Sequence, residues 1–282
     1  MVVDSPCALA YSGGNMVIKK EEEIAVPVSQ LKNVVINTTA VSLTSKLLNE
    51  LANSGIGVLF CNEKYQPSLQ IMPLMGNFRM AGNIRRQSEW TEENKALTWR
   101  EIVRAKIESE QALLQKLGKK VPAKLEEYKS AVLPGDPANR EGQAARIYFN
   151  TAFGESFFRR RSNGTNAALN YGYAVILSSM SRIVCIHGYH VSLGIHHINT
   201  QNPCNFSCDL IEPFRAFVDR AVLRDPPDGG GFCKAELIGV LHEKVRYGNK
   251  SLIFTDAQEM FFLDVLRTLE SGDPCIKEIG FE

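Results

Sequence analysis

Apolar residues at alternating positions mark the first part of the chain. Two such stretches, Ala8 to Tyr11 and Met16 to Lys19, flank the turn cluster Ser12-Gly13-Gly14-Asn15, a pattern typical of a β-hairpin. Leucines at helical spacing follow Ser42, which we expect to cap a helix that ends near Gly55. Further strands are predicted at Ile24 to Val28, Val34 to Asn37 and Ile56 to Cys61. This part of the chain therefore predicts a small sheet with one helix.

Helical spacing of apolar residues dominates the rest of the chain, beyond a polar and basic stretch at residues 77–87. The first long helix is expected from Trp90 to Gly118, with Thr91 as its N-cap. Further helices are predicted from about Ala138 to Phe153 and at Ala167 to Ile186, Asp209 to Leu223 and Ala257 to Leu269. The predicted fold class is α+β. A small β-rich domain covers residues 1–76, a linker covers residues 77–87, and a larger all-α domain covers residues 88–282.

The composition favours a globular protein that stays in the cytoplasm. The chain is 44% hydrophobic, it has no run of eighteen or more apolar residues, and its first residues lack the basic and then apolar order of a signal peptide. We therefore expect neither membrane association nor export. The seven cysteines are odd in number and scattered, which fits reduced thiols better than a disulfide framework.

The net charge of +1 hides a basic middle segment. Residues 77–161 hold 17 lysines and arginines against 11 acidic residues, whereas the segments on either side are net acidic. Such a segment could bind nucleic-acid phosphates, because lysine and arginine neutralise backbone charge. A solvated helix face with interspersed Lys and Glu is the alternative interpretation, and charge alone does not decide between the two.

Three segments of the predicted helical domain carry candidate chemistry. The first contains Glu141 in the first turn of a helix, directly before Gly142 and close to two alanines, so that another group could approach this side closely. The alternative is that Glu141 is a surface residue that complements the helix dipole.

The second segment, residues 187–201, holds four of the five histidines, including the adjacent pair His196 and His197. Histidine is a common metal ligand and acid or base near neutral pH. Cys204 and Cys208 follow shortly afterwards, so a zinc site is a rival interpretation, although this cysteine spacing matches no tight zinc motif.

The third segment places Asp209 and Glu212 three residues apart, which projects both carboxylates from one face of a helix. The alternative is a capping box, with Asp209 as the N-cap and Glu212 at the third helical position. Two glutamates and a histidine brought together by folding would form a hard site that suits Mg²⁺ or Mn²⁺. Such an ion is suited to phosphodiester chemistry.

Three ordered motifs resemble a known family, the CRISPR-associated protein one integrases, and most closely the versions that accompany a type II effector nuclease. The resemblance spans nearly the whole chain. The motifs are Glu141-Gly142-Gln143-Ala144-Ala145-Arg146-Ile147-Tyr148-Phe149, Asn166-Ala167-Ala168-Leu169-Asn170-Tyr171-Gly172-Tyr173 and Asp209-Leu210-Ile211-Glu212-Pro213-Phe214-Arg215.

The resemblance implies a set of site residues. The catalytic residues that bind Mg²⁺ or Mn²⁺ would be Glu141, His197 and Glu212. Next to these ligands, Asp209 and His196 would orient them without binding the ion. The residues expected to contact DNA are Arg79, Arg85, Arg86, Arg140, Arg146, Tyr148 and Tyr173, with helix packing as the alternative for the two tyrosines.

The resemblance also implies a reaction and partners. The 3′-hydroxyl of an incoming DNA duplex would attack phosphodiesters at the two ends of a CRISPR repeat, which inserts a new spacer. The chain would form a homodimer through its strand-rich domain and assemble with CRISPR-associated protein two. A type II effector nuclease and an accessory adaptation protein are further expected partners. A non-catalytic DNA-binding scaffold, in which the same acids are structural, is the alternative function.

Overall fold

Alternating apolar residues fold the first unit of the structure into two four-stranded sheets. The computed structural model describes residues 1–63, 67–71, 77–227 and 231–282. It divides into two compact units, the first formed by residues 1–84 and 181–189 and the second by residues 85–180 and 190–282.

The strands of the first unit pair in two separate sheets. Its strands are β1 (Val2–Val3), β2 (Cys7–Ser12), β3 (Asn15–Lys19), β4 (Glu23–Pro27), β5 (Asn33–Ile36), β6 (Val41–Leu43), β7 (Gly57–Cys61) and β8 (Pro67–Ile71). One sheet has the order β1-β5-β7-β8 and the other β4-β3-β2-β6. The predicted hairpin is confirmed, because β2 and β3 pair antiparallel with Ala10 opposite Val17. Gly13 and Gly14 in the turn both have positive φ angles, a conformation that favours glycine.

One helix, α1 (Ser45–Asn53), packs on these strands. It buries Leu47 and Leu51 in a core that also contains Leu9 and Ile36. The N-cap is Thr44, whose hydroxyl accepts a hydrogen bond from the Leu47 amide at 3.3 Å. The prediction that Ser42 caps this helix was therefore wrong, because Ser42 is used in strand β6.

The stretch predicted as a linker, residues 77–87, is mostly helical. Helix α2 (Met80–Ser88) occupies it, and the boundary between the two units falls inside this helix, after Ile84. Polar side chains of this stretch form hydrogen bonds, since Asn77, just before α2, donates to the Ile186 carbonyl and Asn83, within α2, donates to the His187 carbonyl. The first unit therefore includes residues 181–189, which sequence reasoning assigned to the helical domain.

The second unit is mostly helical and adds a small sheet. Its helices are α3 (Glu92–Lys116), α4 (Ala123–Ser130), α5 (Arg140–Phe153), α6 (Gly164–Ile186, which ends in the first unit), α7 (Asn205–Ile211), α8 (Arg215–Arg224), α9 (Lys234–Gly239) and α10 (Phe254–Ser271). Strands β9 (Lys244–Tyr247), β10 (Lys250–Ile253) and β11 (Ile279–Phe281) form an antiparallel sheet of order β10-β9-β11. The α+β class is confirmed, but the second part is not all-α.

Helix α3 is the central element of the second unit. Thr91 caps it as predicted, because its hydroxyl accepts from the Asn94 amide at 3.1 Å. Apolar residues at helical spacing, such as Ile102, Ile107 and Leu113, are fully buried. The helix packs against α4, α5, α7, α8, α10 and β11. It therefore positions side chains at the meeting point of several helices.

Helix α6 is the one helix in the described part of the chain that is long and apolar enough to cross a membrane by length and composition. Of its most apolar 18-residue window, 67% is buried inside the protein, which is the pattern of a core helix.

The close packing of α6 against α8 predicts a specific cost for adding one methyl group. A Cβ at Gly172 would overlap Val218 Cγ1 and lie 3.4 Å from the Cβ and Cγ2 of the same valine. We expect Gly172→Ala to lower the free energy of unfolding by about 1–3 kcal/mol, measured by urea denaturation. In a Val218→Ala background the same change should cost much less. An equal cost in both backgrounds would contradict the contact.

Candidate active site

A buried lysine joins the two glutamates that the sequence motifs single out. Lys106 lies on the buried face of α3, with only 8% of its side chain exposed. Its ammonium contacts Glu141 Oε1 and donates to Glu212 Oε2 at 2.6 Å. Burial alone would lower the pKa of Lys106, but the carboxylates of Glu212 and Glu141 outweigh this effect and raise it. The lysine therefore stays charged and holds the two carboxylates together.

Glu141 is held at the start of α5 by its neighbours. The Asp136 carboxylate accepts hydrogen bonds from the Arg140 amide at 2.8 Å and from the Glu141 amide at 2.9 Å. The N-cap is Asn139, in the left-handed conformation. Glu141 lies in the first turn of α5, where its charge complements the helix dipole, and its carboxylate also pairs with buried Lys106.

Gly142 leaves space for the side chain of Asn139, the N-cap of α5. A Cβ at this position would lie 2.8 Å from Asn139 Oδ1, the oxygen that accepts the Gly142 amide hydrogen bond. The glycine therefore leaves room for the cap, which is a local reason for its place directly after Glu141.

Glu212 lies in the short 3₁₀ turn Glu212–Phe214, between α7 and α8. Its side chain is 6% exposed, and Oε1 accepts from Arg215 Nη2 at 2.8 Å. Burial would raise the pKa of this carboxyl, but Arg215 and Lys106 lower it to about 2. Glu212 is therefore ionised at neutral pH although it is buried.

Asp209 organises the loop that carries the histidine pair. Its fully buried carboxylate accepts hydrogen bonds from three successive backbone amides, those of Ile195 (2.6 Å), His196 (3.1 Å) and His197 (3.1 Å). Asp209 lies inside α7, which begins at Asn205, so the capping-box interpretation was wrong. The carboxylate instead fixes the backbone of a loop 12 to 14 residues earlier in the chain.

The two histidines have different environments. His197 Nδ1 lies 2.6 Å from Asp209 Oδ1, and this hydrogen bond is the main reason that the pKa of His197 is raised. Because an ionised carboxylate only accepts hydrogen bonds, Nδ1 carries the proton and Nε2 keeps its lone pair in the neutral ring. The ring of His196 stacks on that of Trp99, with centroids 4.2 Å apart, and burial lowers the pKa of His196.

The chemistry of these donors fits a hard divalent ion. Glu141 and Glu212 already share one cation, and the charge of His197 influences the pKa of Glu212. In the described part of the chain, however, no three His, Cys, Asp or Glu residues lie close enough to share an ion. This holds both for the predicted Glu141, His197 and Glu212 set and for the zinc alternative with Cys204 and Cys208. The ammonium of Lys106 lies between the two carboxylates.

Tyr148 and Tyr173 are packing residues, and their predicted contact with DNA was wrong. Both are buried, and their hydroxyls donate to the two oxygens of Asp219 at 2.7 Å and 2.5 Å. Burial raises the pKa of Asp219 to about 6, although the hydrogen bonds from the two tyrosines act to lower it. The two rings therefore satisfy a buried carboxyl group and present no surface to a nucleic acid.

The arginines predicted to contact DNA occupy several separate places. Arg79 belongs to the first unit, while Arg85, Arg86, Arg140 and Arg146 belong to the second. Arg85 and Arg146 are exposed, and Arg86 pairs with Glu270 at 3.2 Å. Arg140 donates to Gln143 and stacks over Tyr128. Their contact with DNA stays a prediction.

Sequence reasoning missed Lys106, Glu110 and Arg215 as residues of the site. The helical spacing contained a signal for the first two, because both fall on the apolar stripe of α3 that includes Ile102, Ile107 and Leu113. A charged residue on such a stripe must be paired or must shift its pKa. Arg215 lies in the third motif, but nothing in the sequence indicates its partner. The structure shows that it pairs with Glu212.

Glu110 is a buried carboxyl one helical turn after Lys106. Its exposed fraction is 3%, and burial raises its pKa to about 8. Within the described residues, its Oε2 has no hydrogen-bond partner. An unsatisfied buried oxygen is costly and calls for a physical reason.

A cavity of about 500 Å³ opens beside His197. Most of the residues that line it are polar, among them Gln87, Lys95, Ser192, Asn202 and Asn205, and the exposed Ile198 also lines it. A polar segment of substrate could reach the imidazole from this side.

Comparisons with known proteins agree with this architecture. The fold is shared with a Cas1 protein from Thermotoga maritima, which has a TM-score of 0.77 and 16% identity, with 96% of each chain covered. A casposase bound to an integration product has a TM-score of 0.70 and 16% identity over 97% of this chain and 91% of the casposase.

The sequence comparisons define the family. The family described as CRISPR associated protein Cas1 matches residues 1–225. A CRISPR-associated endonuclease Cas1 from Neisseria meningitidis is 34% identical, over 76% of this chain and 74% of its own. One from Pyrobaculum aerophilum is 28% identical, over 86% and 88%. The chain belongs to the Cas1 family of CRISPR-associated endonucleases. The resemblance seen in the sequence motifs is confirmed, whereas the type II subtype stays a prediction.

The loop around the histidines predicts a strict requirement for Gly194. A Cβ there would overlap the His197 carbonyl and lie 3.0 Å from Asp209 Oδ2. We expect Gly194→Ala to displace the loop, which would lower the melting temperature by several degrees and return the pKa of His197 towards its ordinary value. NMR titration of the histidine ring protons measures the second effect. Gly239→Ala is the control, because a Cβ there meets nothing within 4 Å. An unchanged His197 titration would contradict the prediction.

The raised pKa of Glu110 predicts how stability depends on pH. Between the ordinary value of 4.5 and about 8, the folded state keeps a proton that the unfolded state has lost. The free energy of unfolding therefore falls with rising pH across this window. We expect Glu110→Gln to remove this loss, so the variant gains stability relative to the parent protein from pH 5 to pH 8.5. Denaturant unfolding at both pH values tests this, and an equal difference at both would contradict it.

Proposed function

We propose that this chain is a metal-dependent DNA integrase and endonuclease that inserts new spacer DNA into a CRISPR array. The observation that carries the proposal is that buried Glu212 and partly exposed Glu141 both bind the ammonium of Lys106, while His197 is oriented by Asp209. Keeping acids so close together costs free energy unless a cation balances them, and this supports a role for the two carboxylates in binding a cation.

Glu141, Glu212 and the Nε2 atom of His197 are the groups that would hold Mg²⁺ or Mn²⁺. When bound, this ion supplies the Lewis acid that polarises a phosphodiester and favours ionisation of an attacking hydroxyl. Asp209 keeps the His197 ring in one tautomer and orientation. Arg215 provides a positive charge beside Glu212, at a position suited to a DNA phosphate. His196 is held by its stacking on Trp99 and supports the loop.

The reaction that we propose is attack of the 3′-hydroxyl of an incoming duplex on a phosphodiester at each end of the CRISPR repeat. It is supported by the likeness in fold to a casposase bound to an integration product. Phosphate contacts along the substrate are proposed for Arg79, Arg85, Arg86, Arg140 and Arg146, because lysine and arginine supply the sequence-independent part of DNA affinity.

The partners that we propose are DNA, a second copy of this chain, and the CRISPR-associated protein Cas2. Solved structures with the same fold include a Cas6-RT-Cas1–Cas2 complex and a Cas1–DNA complex. A type II effector nuclease and an accessory adaptation protein follow only from the resemblance. A cytoplasmic location without membrane association follows from the composition, and all of these belong to the same proposal.

The proposal predicts that removal of one carboxylate separates DNA joining from DNA binding. We expect Glu141→Gln to reduce the joining of a 3′-hydroxyl duplex to a supercoiled target by about 100-fold or more, because a divalent ion loses a charged ligand. Duplex binding in a gel-shift assay should stay within about twofold, since most binding comes from phosphate contacts elsewhere.

A matched control is Glu108→Gln, which removes a carboxylate from the outer side of α3, where it pairs with Lys129. This variant should join DNA as the parent protein does. If Glu141→Gln joins DNA normally, or loses binding and joining equally, the non-catalytic scaffold becomes the better account of the protein.

A further inference from the structure

Lys106 and Glu110 are two buried ionisable side chains whose arrangement the proposed reaction does not explain. They lie four residues apart on α3, on the same buried face. Lys106 is bound to the two proposed metal ligands, whereas Glu110 Oε2 has no hydrogen-bond partner among the described residues. Lys106 therefore binds two carboxylates, whereas Glu110 is buried without a hydrogen-bond donor for its Oε2 atom.

The ammonium of Lys106 and a divalent ion compete for the same oxygens. Lys106 binds Glu141 Oε1 and Glu212 Oε2, which an ion between the two carboxylates would also need. Two cations a few ångströms apart in a buried site repel each other strongly. The ion therefore binds only if the ammonium leaves its present position.

Glu110 is the neighbouring carboxyl that can receive the ammonium. Side chains four residues apart on a helix are neighbours, and the four-carbon stem of lysine is flexible enough to turn between partners. The two groups already interact, since the charge of Lys106 acts on the pKa of Glu110. The movement would give the unpaired Oε2 of Glu110 a donor and would keep the ammonium buried beside an acid.

We propose that Glu110 is an alternative partner for the ammonium of Lys106. The ammonium and the divalent ion would then replace each other at the carboxylates of Glu141 and Glu212. Without the ion, the ammonium prevents the two acids from repelling each other. With the ion bound, the ammonium pairs with Glu110, which releases to solvent the proton that burial keeps on it. Glu110 is thus a positioning residue that acts on metal affinity through Lys106. This inference rests on the metal site of the proposed function.

The test is a titration of purified full-length protein with Mn²⁺ in the absence of DNA, followed by calorimetry. We expect Lys106→Met to tighten Mn²⁺ binding, because the competing ammonium is gone. Glu110→Gln should weaken Mn²⁺ binding by about fivefold or more, the size of an ordinary coupling between sites. In the Lys106→Met background, Glu110→Gln should have no effect, because there is no ammonium to receive.

The controls use Lys129 of α4, which pairs with Glu108 of α3. Lys129 binds Glu108 at 3.2 Å and Glu126 at 3.0 Å, so Lys129→Met and Glu108→Gln remove comparable charges away from the site. Both should leave Mn²⁺ affinity unchanged. Circular dichroism in EDTA checks folding, and Lys106→Gln replaces Lys106→Met if the latter does not fold.

Two results would overturn the inference. One is weaker Mn²⁺ binding after loss of the Lys106 charge, and the other is an equal effect of Glu110→Gln with and without Lys106. A separate titration of Glu141→Gln keeps the two proposals apart. Unchanged Mn²⁺ affinity in that variant refutes the proposed metal site itself, whereas loss of affinity there together with either overturning result refutes only the role of Glu110.

Discussion

The pairing of buried charges is the constraint on which the second unit depends. An ionised group that leaves water without a partner costs several kcal/mol, so each buried acid must meet a cation or a set of hydrogen-bond donors. Lys106 meets this requirement for Glu141 and Glu212, which lie 35 and 106 residues further along the chain. The long helix α3 makes this possible, because it runs past the start of α5 and the turn between α7 and α8.

The same constraint separates two kinds of residue within the sequence motifs. Tyr148 and Tyr173 lie in motifs that identify the family, yet their hydroxyls satisfy buried Asp219 and keep it in a packed core. Asp209 accepts backbone amides and so determines where His197 lies. A family motif therefore contains residues for folding as well as for chemistry, and burial distinguishes them better than residue type.

Local patterns in the sequence predicted local structure well. The β2–β3 hairpin and the Thr91 cap depend on a few neighbouring residues, and the structure has both. Residues 77–87 do contain the boundary between the two units, but their polar, basic composition gave no sign of helix α2 or of the amides of Asn77 and Asn83, which bind backbone carbonyls about 100 residues away. No local pattern reveals such partners. The family motifs singled out Glu141 and Glu212, and both contact the ammonium of Lys106, a residue outside those motifs.

The charges around Glu141 and Glu212 explain why a divalent ion should replace the ammonium of Lys106 rather than bind in addition to it. Lys106 and Arg215 already balance Glu141 and Glu212, and Glu110 is the further acid nearby with an unused oxygen. A divalent ion added to this balanced set would leave excess positive charge in a buried place, where Coulomb energies are large. Movement of the ammonium to Glu110 transfers one positive charge from the carboxylate pair to an acid that lacks a donor. The helix supplies both positions on one face, so the backbone need not move for the exchange to occur.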